Sequence, residues 1–478
     1  MEETTMTELA MRSVVIIGAG PVGCALATLL RRQGLEVDLF ERQAESSGTG
    51  SGHSFNLTLT SRGLDCLPRS VKRRLYLQGS VLAKRIIHHR DGAISTQAYG
   101  TMDNHHLLSI PRGVLQDLLR DQALRAGARI HYGQQCIDVD TARPSALLRD
   151  RDGSSTWVTG DLLVGCDGAN SAVRDAIVAA HPNDMWMTRD TIAHGYAEIN
   201  MDYRDADPTG MHLWPRGDHF LQAQPNRDQT FTTSLFKPTA SDGARRHFSD
   251  LPSATAISDY CATQFPDVFG RMSAVGEELA GRSPGRLRII NCAPYHHRRA
   301  VLVGDAAHAV VPFFGQGINC SFEDAATLAS LLEKFQAAVR AEGGTVASVG
   351  EVVVDEYSAV RVKAGHALAE LSLQNLAELS DHVNDPRFLA RRALERRLHE
   401  LRPELYTPLY QLVAFTHMPY DAAQRVHQET SAVLDSLCRG RDVRAEQDAI
   451  IAEFAELYGS AAQLASPGQL TTPAKRTG

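Results

Sequence analysis

Four β-branched residues, Val14-Val15-Ile16-Ile17, run directly into Gly18-Ala-Gly20-Pro-Val-Gly23, and a small-residue amphipathic segment, Cys24 to Gly34, follows. No other feature of the chain constrains its fold as strongly. A strand in this position turns tightly at the first glycine, lets a pyrophosphate approach the backbone at the second, and packs closely under a helix at the third. A second strand, Glu36-Val-Asp-Leu-Phe40, ends at Glu41, about twenty residues past the glycines, where a carboxylate reaches a ribose. The pattern predicts a parallel α/β domain that seats a dinucleotide at a helix N-terminus. Gly18, Gly20, Val22, Gly23, Glu41 and Arg42 are its candidate contacts.

Two more strand ends follow the same logic. Leu162-Leu-Val-Gly165 terminates at Asp167-Gly168, with Arg174 roughly two helical turns further on. Ala300-Val-Leu-Val-Gly-Asp305 leads through a small-residue stretch and a Gly315-Gln316-Gly317 loop into a helical segment. Asp305 suits the hydroxyls of a ribityl or ribose chain. The helix opening near Gly317 turns its positive end toward whatever sits above the loop, and a reduced flavin, charged near N1 and O2, fits that field. One such turn is commonly an ordinary crossover; three in this order are not.

With 478 residues the chain can bury two or three units. Its net charge of −7 and dispersed basic residues argue against nucleic acid or an anionic membrane as the main partner. No apolar run reaches membrane-spanning length, and the acidic opening MEETTMTELAMRS lacks the apolar core of a secretory signal. Eight scattered cysteines show neither paired nor zinc-like spacing. A cytoplasmic protein is expected.

The expected organisation is a nucleotide-binding domain over 12–182, with a substrate-contacting insertion near 83–100, then an antiparallel-sheet domain over 183–286. The chain returns to the first domain over 287–335, becomes helical over 336–464, and ends in a frayed tail over 465–478. Alternation in HGYAEINM, MHLWPRGDHFLQAQP and QTFTTSLFKP carries the sheet assignment, and EYSAVRVKAGHALAELSLQNLAEL carries the helical one. Ser46–Gly52 reads as a flexible loop.

The three corners together resemble the group A FAD-dependent aromatic hydroxylases. More specific passages resemble the kynurenine 3-monooxygenases among them: Ser54–Gly63, Leu108-Ser-Ile-Pro-Arg112, His212-Leu-Trp-Pro-Arg216, Phe231–Pro238, Val311-Pro-Phe-Phe-Gly-Gln-Gly-Ile-Asn319, Asn375 and Pro408-Leu-Tyr410. The resemblance implies a Rossmann-like, glutathione-reductase-like FAD domain with an antiparallel-sheet substrate domain and C-terminal helices. It also implies FAD as cofactor, NADPH or NADH as reductant, and O2 delivered to an aromatic ring through a flavin C4a-hydroperoxide.

At matched positions, Arg85 corresponds to the arginine that grips the substrate carboxylate, with Tyr99, Asn375 and Tyr410 as the other contacts at the amino-acid end. Phe236, Pro312, Phe313 and Phe314 would wall the ring. Thr58, Arg112, Cys136, Asp167, Asp305, Gly317, Ile318 and Asn319 join the cofactor set. No residue serves as nucleophile or base, and no metal is expected.

The chain departs from that pattern in three places. Gln222 and Gln224 stand where the relatives place apolar side chains against the ring, so they face water, pair together, or meet a polar substituent. Gly52-His53-Ser54 replaces a stretch that carries an arginine. The membrane anchor of eukaryotic relatives has no counterpart. Three functions stay open: hydroxylation of kynurenine or a related tryptophan-derived acid, hydroxylation of a different aromatic natural product, and sequestration of an aromatic ligand by a flavoprotein.

Overall fold

Ser13–Ile17 lies inside a six-stranded sheet ordered His296–His297, Ala300–Leu302, Leu162–Gly165, Ser13–Ile17, Glu36–Glu41, Arg129–Tyr132. Every pairing in it is parallel except that of the short edge strand His296–His297. Val14 to Ile17 are buried throughout, as a parallel strand covered on both faces requires. The computed structural model describes residues 11–45 and 56–465, except 101, 103–104, 240–247, 249–250, 273, 343–345 and 381–385. Residues 46–52 of the expected loop, the Gly52-His53-Ser54 departure and residues 466–478 of the expected tail lie outside the described residues.

A seven-stranded sheet forms the second layer, ordered Gly285–Ala293, Trp186–Met201, Phe231–Pro238, Phe220–Pro225, Gly210–Pro215, Lys84–His88, Ile94–Ala98. Two points correct the sequence reading. This sheet is mixed, because Gly210–Pro215 pairs parallel with Lys84–His88 from the insertion. Gly285–Ala293 also belongs to it, pairing with Trp186–Met201, so the chain rejoins the nucleotide-binding sheet only at His296. The cause is side-chain fit. Leu287 and Ile289 pack with Phe220, Phe236 and Phe313 in one cluster, which fixes that strand beside the substrate layer.

Alternation along the strands separates two faces. Trp214, Leu221, Ala223 and Leu235 pack against Tyr260 and Phe265 of a helical cover. Leu213, Phe220 and Phe236 point the other way, toward Val311 and Phe313. The C-terminal part is helical, with Gly317–Glu342, Val346–Ser380, Pro386–Leu401, Leu409–Phe415, Tyr420–Cys438 and Gln447–Ala465. Fully buried Arg62 fastens it to the first domain by donating to the Val413 carbonyl at 2.6 Å, pairing with Glu323 at 2.7 Å and lying 4.4 Å over the Tyr420 ring. Among the described residues no helix is long and apolar enough to cross a membrane.

Candidate active site

A cavity of about 1720 Å³ runs from the C-terminal ends of the parallel strands to the inner face of the mixed sheet. That exceeds the few hundred to about 1,000 Å³ of an ordinary small-molecule pocket. It accommodates a dinucleotide and a second ligand, at the edge where open α/β sheets bind them.

At the strand-end pole, Gly18 has φ +98°, and a Cβ there would meet the Cys166 carbonyl oxygen at 2.5 Å. Gly23 does not line the cavity; any Cβ would collide with the Gly18 carbonyl, so its role is to let helix Pro21–Arg32 settle on the turn. Gly20 is the open point, since a Cβ there would meet no atom within 4 Å. Glu41 borders the cavity while accepting from the Ala19 N–H at 3.1 Å and the Gln43 N–H at 2.9 Å. Val22, Arg42, Thr58, Arg112, Cys136, Gly317 and Ile318 line the same space. Burial pushes the Cys136 thiol up to about 12, which leaves it neutral and unreactive.

Two carboxylates face this pole. Asp167 accepts through Oδ2 from the N–H groups of Ala172 at 2.7 Å and Val173 at 3.2 Å, while its buried Oδ1 meets no partner. Burial raises its pKa, against those hydrogen bonds. Asp305 opens into the cavity, yet the protein mass around it raises its pKa, opposed by His308 and Arg112. Both are placed to accept hydroxyl hydrogen bonds. The open glycine cradle and the orphaned Asp167 oxygen fit a bound FAD.

Asn319 is a correction. Its side chain is fully buried below the cavity, accepting from the Thr60 N–H at 2.9 Å and donating to the Thr58 and Gly315 carbonyls at 3.0 and 3.1 Å. It shapes the cofactor wall through Thr58 and Gly315 and does not reach into it.

At the other pole, register aligns the candidate substrate residues into rows. Arg85 pairs with Met211, and Gln224 pairs with Thr232 across the next strands. Leu213, Gln222 and Ser234 make the adjoining row. Arg85 presents a buried Nε with no hydrogen-bond partner. Its guanidinium lies 6.0 Å from the Tyr99 ring centroid, and Tyr99 lies 5.7 Å from Tyr410. Burial raises the Tyr99 pKa, opposed by Arg85, and its hydroxyl also lacks a partner at bonding geometry.

Tyr410, Phe236, Pro312, Phe313 and Phe314 line the cavity. Tyr99 and Asn375 do not. Tyr99 backs Arg85, and Asn375 donates to the Phe313 carbonyl at 2.5 Å, holding the aromatic wall from behind.

Gln222 and Gln224 also line the cavity, in different states. Gln224 accepts from the Ser109 hydroxyl at 3.0 Å, which in turn accepts from Asn56 at 3.0 Å. Gln222 makes no side-chain hydrogen bond within the described residues.

Two supports escaped the sequence reading, and a third, Arg174, stood in it without a role. Gln116 donates to the Ala19 carbonyl at 2.6 Å and holds the glycine turn. Arg174 donates to the Ala169 and Ala306 carbonyls at 3.0 Å each, tying the second corner to the third. The Ser109–Asn56 pair was the other. For Gln116 a signal existed: Arg112, Gln116 and Arg120 recur every fourth residue of helix Arg112–Arg125, and all three line the cavity.

Residues 11–367 match the FAD binding domain family. The chain is 34% identical over 445 residues to the kynurenine 3-monooxygenase of Stenotrophomonas maltophilia, covering 91% of this chain and 94% of the relative. The chain belongs to the kynurenine 3-monooxygenase family. Against the Myxococcus xanthus member identity is 32% over 469 residues, covering 95% and 96%. It is therefore an FAD-dependent aromatic monooxygenase. The fold is also that of 2-methyl-3-hydroxypyridine-5-carboxylic acid oxygenase, with TM-score 0.60 at 19% identity over 77% of this chain and 91% of that one. The OxyS anhydrotetracycline hydroxylase of Streptomyces rimosus matches at TM-score 0.60 and 22% identity, over 84% and 75%.

Proposed function

We propose that this enzyme hydroxylates the aromatic ring of kynurenine or a closely related tryptophan-derived amino acid, consuming O2 and a reduced nicotinamide, NADPH or NADH. The observation that carries the reading is Arg85, which lines the cavity opposite the cofactor pole and whose Nε has no hydrogen-bond partner among the described residues. A planar guanidinium pairs two-pronged with a carboxylate, and burial makes that pair strong and geometrically selective. The Tyr99 and Tyr410 rings flank the same point.

FAD, when bound, supplies the electron store and the site of oxygen activation. The chain's own residues do the rest. Asp167, Asp305 and the open Gly20 turn hold the cofactor, and the N-terminus of Gly317–Glu342 favours negative charge above it. Arg85 fixes the amino-acid end, so the ring is turned toward Pro312-Phe313-Phe314. Those side chains, backed by Phe220 and Phe236 at ring separations of 5.9 and 5.5 Å from Phe313, exclude water. No side chain acts as nucleophile, and catalysis is by orientation and exclusion.

Incubating the FAD-loaded enzyme with L-kynurenine and NADPH or NADH tests this by mass spectrometry. A product heavier by one oxygen atom is expected. Nicotinamide oxidation yielding only hydrogen peroxide would reject kynurenine as substrate.

A second reading rests on Gln222, a cavity-lining amide with no side-chain hydrogen bond among the described residues. It favours a relative of the same acid bearing a hydroxyl or other polar group on the ring. Higher kcat/KM for hydroxyl-substituted kynurenines than for kynurenine supports it; the reverse order removes it.

A further inference from the structure

The polar side chains at the substrate pole form a hydrogen-bonded chain with a direction, and that direction is set outside the cavity. It starts at Asp228, in the turn between strands Phe220–Pro225 and Phe231–Pro238. The Thr230 hydroxyl donates to Asp228 Oδ1 at 2.6 Å, and the Thr230 N–H donates to the same oxygen at 3.0 Å. These bonds hold the Asp228 carboxyl below the usual carboxylate range, so it is ionised and only accepts.

From there each bond leaves the next group one choice. Thr230 has given its one hydroxyl proton to Asp228, so Asn226, 3.0 Å from the Thr230 oxygen, meets it with its NH2. The Asn226 oxygen then faces Asn56 at 2.7 Å and accepts, which makes the facing atom of Asn56 its Nδ2. The same Nδ2 reaches the Ser109 hydroxyl at 3.0 Å. Ser109 accepts there and keeps its proton for Gln224, whose facing atom, 3.0 Å away, is therefore Oε1. Thr232 donates to the remaining oxygen of Asn56 at 3.1 Å. Asn56, Ser109 and Gln224 are buried, so a reversed amide among them would set like groups face to face and leave a polar atom unpaired.

Gln224 thus turns its NH2 to the cavity it lines, and Nε2 makes no hydrogen bond within the described residues. Gln222, one row nearer the Phe220–Phe236 pair, has no such tether and is free to offer either end of its amide.

We propose that Gln224 is a specificity-determining residue, a fixed donor that selects aromatic amino acids with an acceptor oxygen on the linker between carboxylate and ring. An aryl ketone is such a linker. The assignment rests on the kynurenine reading above and adds how the linker itself is recognised. Gln224 lies two strands from Arg85, about 10 Å at ordinary strand spacing. Four residues along its own strand stands Phe220, paired with Phe236 at the aromatic wall. It therefore sits between the carboxylate anchor and the ring. A ketone oxygen has two lone pairs, so it can accept from an ortho amine on the ring and still accept from Gln224. A methylene linker offers no acceptor and leaves the Gln224 N–H groups unpaired.

The test compares the affinity of FAD-loaded enzyme, read from the flavin absorbance change, for L-kynurenine and for its deoxo analogue, in which CH2 replaces the ketone. Wild type should prefer the ketone by about 10- to 100-fold. Gln224→Leu should abolish that preference. Asn56→Asp leaves Gln224 in place but offers Ser109 an acceptor, so the hydroxyl proton turns away, Gln224 reverses its amide, and the preference should vanish here too. Circular dichroism and FAD content show that the variants fold, and a ratio of two affinities within one variant does not move with a partial loss of folded protein. Equal affinities in wild type, or a ketone preference retained in folded Gln224→Leu or Asn56→Asp, would overturn the assignment while the kynurenine reading stands. Binding of neither compound would reject that reading, and the assignment with it.

Discussion

The two poles of the cavity are built by different means. The cofactor pole is a glycine turn, helix N-termini and strand ends that carry the carboxylates Glu41, Asp167 and Asp305, each contained in one short stretch of sequence. The substrate pole is made of side chains from residues 85, 99, 211–236, 311–314, 375 and 410, joined by sheet register and by second-rank hydrogen bonds. Contiguous geometry is written in local spacing. Assembled geometry depends on which side chains find partners, and spacing does not record that.

The largest effect should come from below the cofactor pole. Asp324 accepts from His308, from Arg361 and from the Gly304 N–H at 2.5, 2.5 and 3.0 Å. Asp324→Ala removes the closer of the two carboxylates on buried Arg361, leaving Glu323 at 3.1 Å, and also strips His308 and Gly304 of their acceptor, at about 3–5 kcal/mol; chemical denaturation should show that loss. A loss under about 1 kcal/mol would mean this cluster does not support the third corner.

Gly20→Val separates folding from cofactor binding. Nothing contacts a Cβ at this position, so the fold should persist, whereas the added carbons enter the space of the pyrophosphate. We expect an unchanged thermal midpoint for the FAD-free protein and at least about 100-fold weaker FAD binding, close to 3 kcal/mol. Gly18→Val should instead fail to fold. Equal behaviour of the two variants would contradict the division of roles between these glycines.

These positions also show what could be read from sequence. Gly18, Gly20, Gly23, Asp167 and Asp305 were legible because a strand running into glycine or aspartate admits few geometries. Asn319 was misplaced because adjacency to Gly317 locates a segment but not a side-chain direction, and its amide turns back to Thr60. Asn375 and Tyr99 were legible as neighbours of the substrate site, yet each acts through a residue in front of it. The chain from Asp228 to Gln224 could not be joined in advance, since only the fold brings Asn56 and Asn226, 170 positions apart, into contact.

Gln224→Leu probes the substrate pole alone. It removes the acceptor of the Ser109 hydroxyl, a loss of about 1–3 kcal/mol. KM for the aromatic acid should change several-fold while FAD content stays constant. Loss of FAD from this variant would show that the poles are not separable.

The smallest effect is in pH dependence. Burial lowers His88 and His219 of the substrate layer to about 4. Because their folded pKa values lie below the unfolded value near 6.5, the unfolded chain takes up more protons. Their contribution is complete above about pH 6.5 and is lost as pH falls toward 4. The thermal midpoint should decline across that window, and His88→Gln should flatten the slope. An unchanged slope would remove His88 from the explanation.

On the proposed reading, one cavity holds FAD at its strand-end pole and an amino-acid carboxylate on Arg85 at the other. Titrating L-kynurenine into FAD-loaded wild type and Arg85→Ala, followed by the flavin absorbance change, tests it directly. Equal flavin content in both proteins and substrate affinity weaker by about 2–5 kcal/mol in the variant are expected. Equal affinity for L-kynurenine in the two would contradict it.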